Sequence, residues 1–280
     1  MSGGKPSSAF ENSRSQIIEQ LSAVENFFSS LMRHAKELEG PTESNEPSLG
    51  GQLLYIGELD ETGCALATAA NVAGSASLAA TADSASQRKA VREGVADFLV
   101  NSLDEALRIL KNEIRKREPV AVCISTSPDD VEREMLERGV QPDLLAEAAG
   151  FLRGGALNAP ETCIVRAEPV ATEQAWLAWG VTDTPAKWMP KLDALAMGCL
   201  AAEEIEAMRW LRHTPRYLSR DARGMRVVRC IPHTGRAIVA RMEEEVTRGT
   251  IDTAVWISLR TGEELVEREW KPRTALDRKA

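Results

Sequence analysis

Between residues 52 and 147 short apolar runs alternate with helical stretches, and this alternation constrains the fold more than any other feature. QLLYIGEL (52–59), SASLAATA (75–82), DFLVN (97–101) and VAVCIST (120–126) read as strands, and PDLLAE (142–147) begins a fifth. TGCALATAANVAG (62–74) and the stretches 84–93, 103–117 and 128–138 read as the intervening helices. Helix starts are marked chemically. Ser84 with Gln87 and Ser102 with Glu105 have capping-box spacing, and Ser127-Pro128-Asp129-Asp130 offers a cap, a proline at the first helical position and an acid in the first turn. A strand, a crossover helix and a second strand of this length imply parallel pairing, and the right-handed crossover sets the helices against the sheet. The expected class is α/β, a Rossmann-like parallel sheet with helices on both faces, plus a smaller α+β C-terminal portion.

The flanks read differently. Residues 1–13 are polar and small and are expected to be disordered. From Ser15 to Leu38 the apolar positions Ile17, Ile18, Leu21, Val24, Phe27, Phe28 and Leu31 recur at helical spacing. EGPTESNEPSLGG (39–51) has a linker's composition. After Gly150 comes a loop-like GGALNAP (154–160), and five of the six tryptophans then lie between Trp176 and Trp256, with the sixth at Trp270. Helices are expected at 190–213 and 215–223, the second capped by Thr214, with strands at MRVVRCI (225–231) and TAVWISL (253–259). The expected division is 1–50 (tail, amphipathic helix and linker), 51–150 (Rossmann domain) and 151–280 (a second α+β portion, or a layer completing the first sheet).

Several consecutive pieces carry a family likeness: GQLLYIG, SLAATAD, REGVADFLVNSLDEALRIL and EPVAVCISTSPDDVEREMLERGVQPDLL. Residues 51–145 resemble the central Rossmann-like domain of urocanase (urocanate hydratase). The resemblance implies a lyase of histidine degradation that uses NAD as an electrophile. Its first turn would be a glycine-rich loop admitting the NAD pyrophosphate to N–H groups at a helix start. Laid over this chain, the candidate cofactor loop comprises Gly57, Asp60, Glu61, Gly63 and Cys64, with Thr81 at the ribose position. Only Gly63 survives of the family's loop glycines. Asp60, Glu61 and Cys64 replace others, Thr81 stands where an acid would hold the ribose, and Ser86 where an arginine is expected. Two carboxylates within about 5 Å of a pyrophosphate would each cost on the order of 1–3 kcal/mol. The same acids suit a bare helix N-terminus, where the macrodipole favours negative charge. The family's residues after the fifth strand, and its catalytic cysteine segment, have no counterpart here.

A net charge of −8 argues against a dominant nucleic-acid surface, which needs a basic footprint. The five cysteines form no CxxC pair, and with three histidines no zinc spacing arises, so no metal site is expected. No apolar run of spanning length and no leader-like N-terminus occurs, and a cytoplasmic protein without membrane contact is expected. Arg209, Arg212, Arg216 and Arg220 could line one face of collinear helices as an anion patch, or pair with nearby acids. His34 is expected on a polar helix face, His213 near a helix C-terminus and His233 in a turn, none of them with a nucleophile motif. Cys64 at a helix start is a reactive thiol or a buried small residue. Trp176, Trp179 and Trp188 line a pocket, dock a partner, or serve as core and interface material, and the N-terminal helix is an oligomerisation arm or packs back on its own sheet. The favoured functional expectation is a urocanase-like Rossmann protein without NAD chemistry, serving as a ligand-binding, scaffold or assembly module. The alternatives are an enzyme with another small ligand in the strand C-terminal crevice, and retained urocanate hydratase-type activity.

Overall fold

Six parallel strands, in the order β3-β4-β2-β1-β5-β6, form the first sheet. They are β1 (Leu53–Glu58), β2 (Ala76–Ala80), β3 (Phe98–Val100), β4 (Val120–Ile124), β5 (Leu144–Ala146) and β6 (Cys163–Val165). The crossovers are α2 (Glu61–Ala73), α3 (Ser84–Glu93), α4 (Leu103–Lys116) and α5 (Pro128–Glu137). The Rossmann-like α/β expectation therefore holds, and each boundary lies within about two residues of the one read from the sequence. The computed structural model describes residues 8–39, 46–150, 162–171, 173–262 and 264–271. It divides into two units, residues 23–169 with 213–219, and residues 1–22 with 170–212 and 220–280. Residues 40–45 of the expected linker and the whole of GGALNAP lie outside the described residues. Among the described residues no helix is long and apolar enough to cross a membrane.

Two layers of side chains make the Rossmann core. On one face Tyr55, Leu78, Val122 and Ile124 pack with Leu103, Leu107 and Leu110 of α4 and Val131 and Met135 of α5. On the other, α2 lies close to β1 because the residues it buries include Gly63, Ala67, Ala69, Ala70 and Ala73. α2 stops at Gly74, whose φ of 92° is the left-handed conformation a residue without Cβ adopts freely.

Of the expected caps, two stand and one moves. Ser102 accepts from Glu105 N–H, while the Glu105 carboxylate reaches back to Asn101 N–H, one residue earlier than in a capping box. Ser127 accepts from Asp130 N–H. α3 is capped by Asp83 rather than by Ser84, with the Asp83 carboxylate accepting from Ala85 and Ser86 N–H. An ionised acceptor makes the stronger bond, so the aspartate takes the cap and the serine becomes the first helical residue.

α1 runs Ser8–Glu39, so the expected disorder is corrected from residue 8 onward. Its first part joins the second unit, where the Arg14 guanidinium lies 5.1 Å over the Trp256 ring. Its remainder joins the Rossmann unit, where Asn26 C=O accepts from Glu168 N–H and Arg33 pairs with Glu168. The helix thus packs on its own chain. His34 is buried, not on a polar face, because the helix is enclosed on nearly every side from Phe27 to Ala35.

The second unit has its own antiparallel sheet, in the order β10-β9-β7-β8: β7 (Ala175–Val181), β8 (Met225–Cys230), β9 (Val255–Thr261) and β10 (Glu264–Trp270). Among the described residues of the later segment, only β6 extends the first sheet. The helices are α6 (Pro185–Cys199), α7 (Ile205–Tyr217) and α8 (Pro232–Arg248). The helices expected at 190–213 and 215–223 are corrected. The chain leaves helix between Cys199 and Ile205, and α7 runs through Pro215 with Thr214 buried inside it rather than capping a new helix. Pro215 falls in the last turn of α7, so the N–H it lacks and the bend it imposes disturb only the end of the helix. His233 lies in the first turn of α8 rather than in a turn, since Pro232 takes the first helical position.

Candidate functional site

The candidate loop sits where the resemblance implies, between β1 and α2. Asp60 is the N-cap of α2: its Oδ1 accepts from Gly63 N–H at 2.8 Å and its carbonyl from Cys64 N–H at 2.9 Å. The carboxylate therefore occupies the donor a phosphate oxygen would need, and it answers the helix dipole with the same sign of charge. Glu58 and Glu61 are exposed on either side. Replacing Asp60 by alanine is expected to lower stability by about 1 kcal/mol in urea denaturation, the usual cost of a lost N-cap.

Cys64 is half-buried, and burial pushes its thiol up to about 11, with Lys89 pulling the other way. It is neutral near pH 7, unlike the activated thiolate that a helix start alone could produce. Cys123 on β4 is buried and pushed up to about 12 for the same reason.

Thr81, at the end of β2, is buried and fully engaged. Its N–H donates to Ile124 C=O, its Oγ1 accepts from Asp83 N–H at 3.2 Å, and its carbonyl accepts from the Gln87 amide at 2.8 Å. Ser86 donates to Asp83 at 2.7 Å, and that bond, with those from the Ser86 and Ala85 backbone, holds the Asp83 carboxyl below its usual range. The ribose position thus carries a local turn network.

A second closure was not legible in the sequence. The segment after β5 folds over the end of β1, where Gly57 adopts φ 85° at an irregularity in the β1–β2 register. A Cβ on Gly57 would lie 3.4 Å from the Ala149 backbone. The next residue is held from below: Gly150 N–H donates to Glu132 Oε1 at 2.9 Å. Glu132 is buried on α5 and also bonds the Tyr55 side chain, whose hydroxyl pKa is raised first by burial and next by the Glu132 charge. The run LLAEAAG, small and apolar, was the available signal for a segment that packs rather than binds.

These residues do not fit a dinucleotide pyrophosphate. The helix-start N–H of Gly63 is capped by Asp60, and Ala149 packs against Gly57 at the end of β1, beside β5, where the strand order reverses and ligands of open α/β sheets sit. A separate cleft of about 330 Å³ opens at the C-terminal ends of β3 and β4. Its floor is Leu103, Ile124 and Val131, and Ser102 and Thr126 stand at its walls. Its charges largely pair among neighbours, Asp130 with Arg133 and Glu134 with Arg138.

The arginines of the expected anion patch differ in exposure. Arg209 is buried, Arg212 and Arg216 are exposed on α7, and Arg220 lies beyond the helix end. Further along, Arg226 pairs with Asp193 at 2.9 Å, Arg236 with Glu264 at 3.3 Å and Arg241 with Glu244 at 2.8 Å. Of the tryptophans, Trp179 and Trp188 are buried and Trp176 half-buried.

Sheet order, crossovers and the strand–turn–helix at 53–73 define a Rossmann-like α/β domain protein. Residues 36–151 match the family model of the urocanase Rossmann-like domain. This segment is a urocanase-family Rossmann-like domain.

Proposed function

We propose that this chain uses a urocanase-like Rossmann domain as a binding or assembly module, without NAD-dependent hydratase chemistry. The observation that carries the reading is the Asp60 carboxylate on Gly63 N–H. A nucleotide phosphate would have to displace it and then tolerate Glu58 and Glu61 beside it. The Thr81 network and the Ala149 packing support the same reading, because both fill space a dinucleotide needs. Isothermal titration with NAD at millimolar concentration is expected to show no binding heat, and incubation with urocanate and NAD no loss of urocanate absorbance. Saturable NAD binding that disappears on Gly57→Trp would overturn the reading.

One observation favours a second reading, the polar-walled, apolar-floored cleft beside Ser102 and Thr126. It suits a small ligand with hydroxyl groups, since hydroxyl walls offer hydrogen bonds, and its three acids against one arginine disfavour an anion.

A further inference from the structure

We infer that the cleft at the C-terminal ends of β3 and β4 takes a small aliphatic amine that also carries a hydroxyl group, a conclusion that rests on the hydroxyl-ligand reading above and adds the ligand's charge. Asn101 and Ser102 directly follow β3, and Thr126 lies just after β4, so the cleft opens at the end of the sheet where open α/β folds hold their ligands. Its floor belongs to the core, since Leu103, Ile124 and Val131 are all buried. At about 330 Å³ it stands at the small end of ligand sites, and it suits a chain of a few carbon atoms better than a nucleotide. The walls hold polar groups that the fold leaves over. Asn101 N–H donates to Glu105 Oε2 at 3.0 Å, and its side-chain amide has no partner among the described residues. Ser102 Oγ accepts from Glu105 N–H and keeps its own proton to donate. The Thr126 hydroxyl reaches Asp130 Oδ2 only at 3.5 Å, a long contact that a ligand hydroxyl can replace.

Charge decides between ligands of similar shape. Asp130, Glu134 and Glu137 line the cleft against the single Arg133. Two of the three acids are answered within the fold. Asp130 accepts from Ser127 at 2.6 Å and pairs with Arg133, and Glu134 pairs with Arg138 at 2.7 Å. Glu137 lies one turn beyond Arg133 on α5, but the Arg133 guanidinium is bonded to Asp130, and Glu137 has no ion pair among the described residues. An exposed carboxylate therefore borders the cleft without a counter-ion, and an ammonium group makes the pair that the fold has not made. The acids do not converge as a metal shell does, and among the described residues no group of three such side chains is placed to hold a metal ion. The fitting cation is organic. Its ammonium meets Glu137, its methylenes cover the apolar floor, and its hydroxyl meets Thr126 and Asn101.

The test is a ligand-observed NMR titration of the full-length protein with four probes built on the same carbon chain: aminobutanol, butanediol, butylamine and hydroxybutyrate. Aminobutanol is expected to bind saturably and at least about threefold tighter than butanediol or butylamine, the size of one exposed ion pair or one hydrogen bond. Hydroxybutyrate is expected not to bind. Glu137→Gln should bring aminobutanol down to the butanediol value, and Thr126→Val should bring it down to the butylamine value. Neither change touches the core, so both variants should keep the parent's circular-dichroism spectrum. Raised salt should shrink the preference for the amine over the diol and leave diol binding as it was. Butanediol binding as tightly as aminobutanol, or an amine preference that survives Glu137→Gln, would sink the cationic ligand while the hydroxyl cleft stands. Binding of none of the four probes would overturn the cleft itself, and neither outcome bears on the NAD titration, which is read separately.

Discussion

Gly63→Ala is expected to destabilise the Rossmann unit by about 3 kcal/mol, the upper end of ordinary overpacking. A methyl group at Gly63 would overlap the carbonyl oxygen of Glu58 and stand 3.3 Å from Ile56 Cγ2. The obstacle is backbone, which cannot rotate aside as a side chain could, so α2 would have to move off β1 and disturb its alanine-lined contact. Thr62, exposed one residue earlier in the same turn, is the control, and Thr62→Ala should stay within about 0.5 kcal/mol of the parent. Urea denaturation should show a lower midpoint for Gly63→Ala with little change in slope. A midpoint equal to that of Thr62→Ala would mean that the close approach is not essential. The same contact accounts for a glycine at position 63. In dinucleotide folds one glycine serves helix–strand packing rather than the phosphate, and packing persists here.

Asp193→Ala is expected to cost about 3–5 kcal/mol, because it leaves the Arg226 guanidinium buried without its carboxylate. Arg226 Nε and Nη2 donate to Asp193 Oδ2 at 3.1 and 2.9 Å, and the Arg226 side chain is buried while that of Asp193, on α6, is 14% exposed. Arg226→Met combined with Asp193→Leu should recover most of the loss, since an apolar pair needs no desolvation. Titration adds a second readout. Burial pushes the Asp193 carboxyl up to about 6, against the opposing pull of Arg226 and, more weakly, of the Trp179 indole. A folded-state value above the unfolded one means that the folded chain holds the proton more tightly. The contribution of this group is therefore complete below about pH 4 and declines as pH rises to about 6. Asp193→Asn should remove that decline from the pH dependence of the urea midpoint while still offering Arg226 an amide oxygen. A pH profile identical in parent and Asp193→Asn would show that the carboxyl titrates normally.

The two predictions probe regions of unequal legibility. Strands such as VAVCI are buried on both faces and read as continuous apolar runs, and helix starts such as Ser127-Pro128 announce themselves within a few residues. The second unit was harder to read. AWLAWGV became a central strand and PHTGRAIVARMEEEVTR a helix, neither assigned beforehand, because β7 joins partners more than forty residues away and α8 begins without a side-chain cap. The His34 error has the same origin: a residue opposite the apolar stripe reads as exposed until a second layer covers it.

Within the candidate site the division is similar. The acids at positions 60 and 61 and the threonine at 81 were visible as departures from the family pattern, because electrostatics at a helix start depends on residue type and local spacing. Residue order alone thus makes the parallel α/β scaffold and the charge of the turn at 58–61 legible, because strand and helix patterning and helix-start chemistry depend on residues close along the chain. Packing between distant segments is what brings Ala149 against Gly57, fastens Gly150 to Glu132, joins Arg226 to Asp193 and leaves β10 at the edge of its sheet. Each of these joins segments separated by many residues, and such contacts are fixed by how layers pack rather than by any local preference.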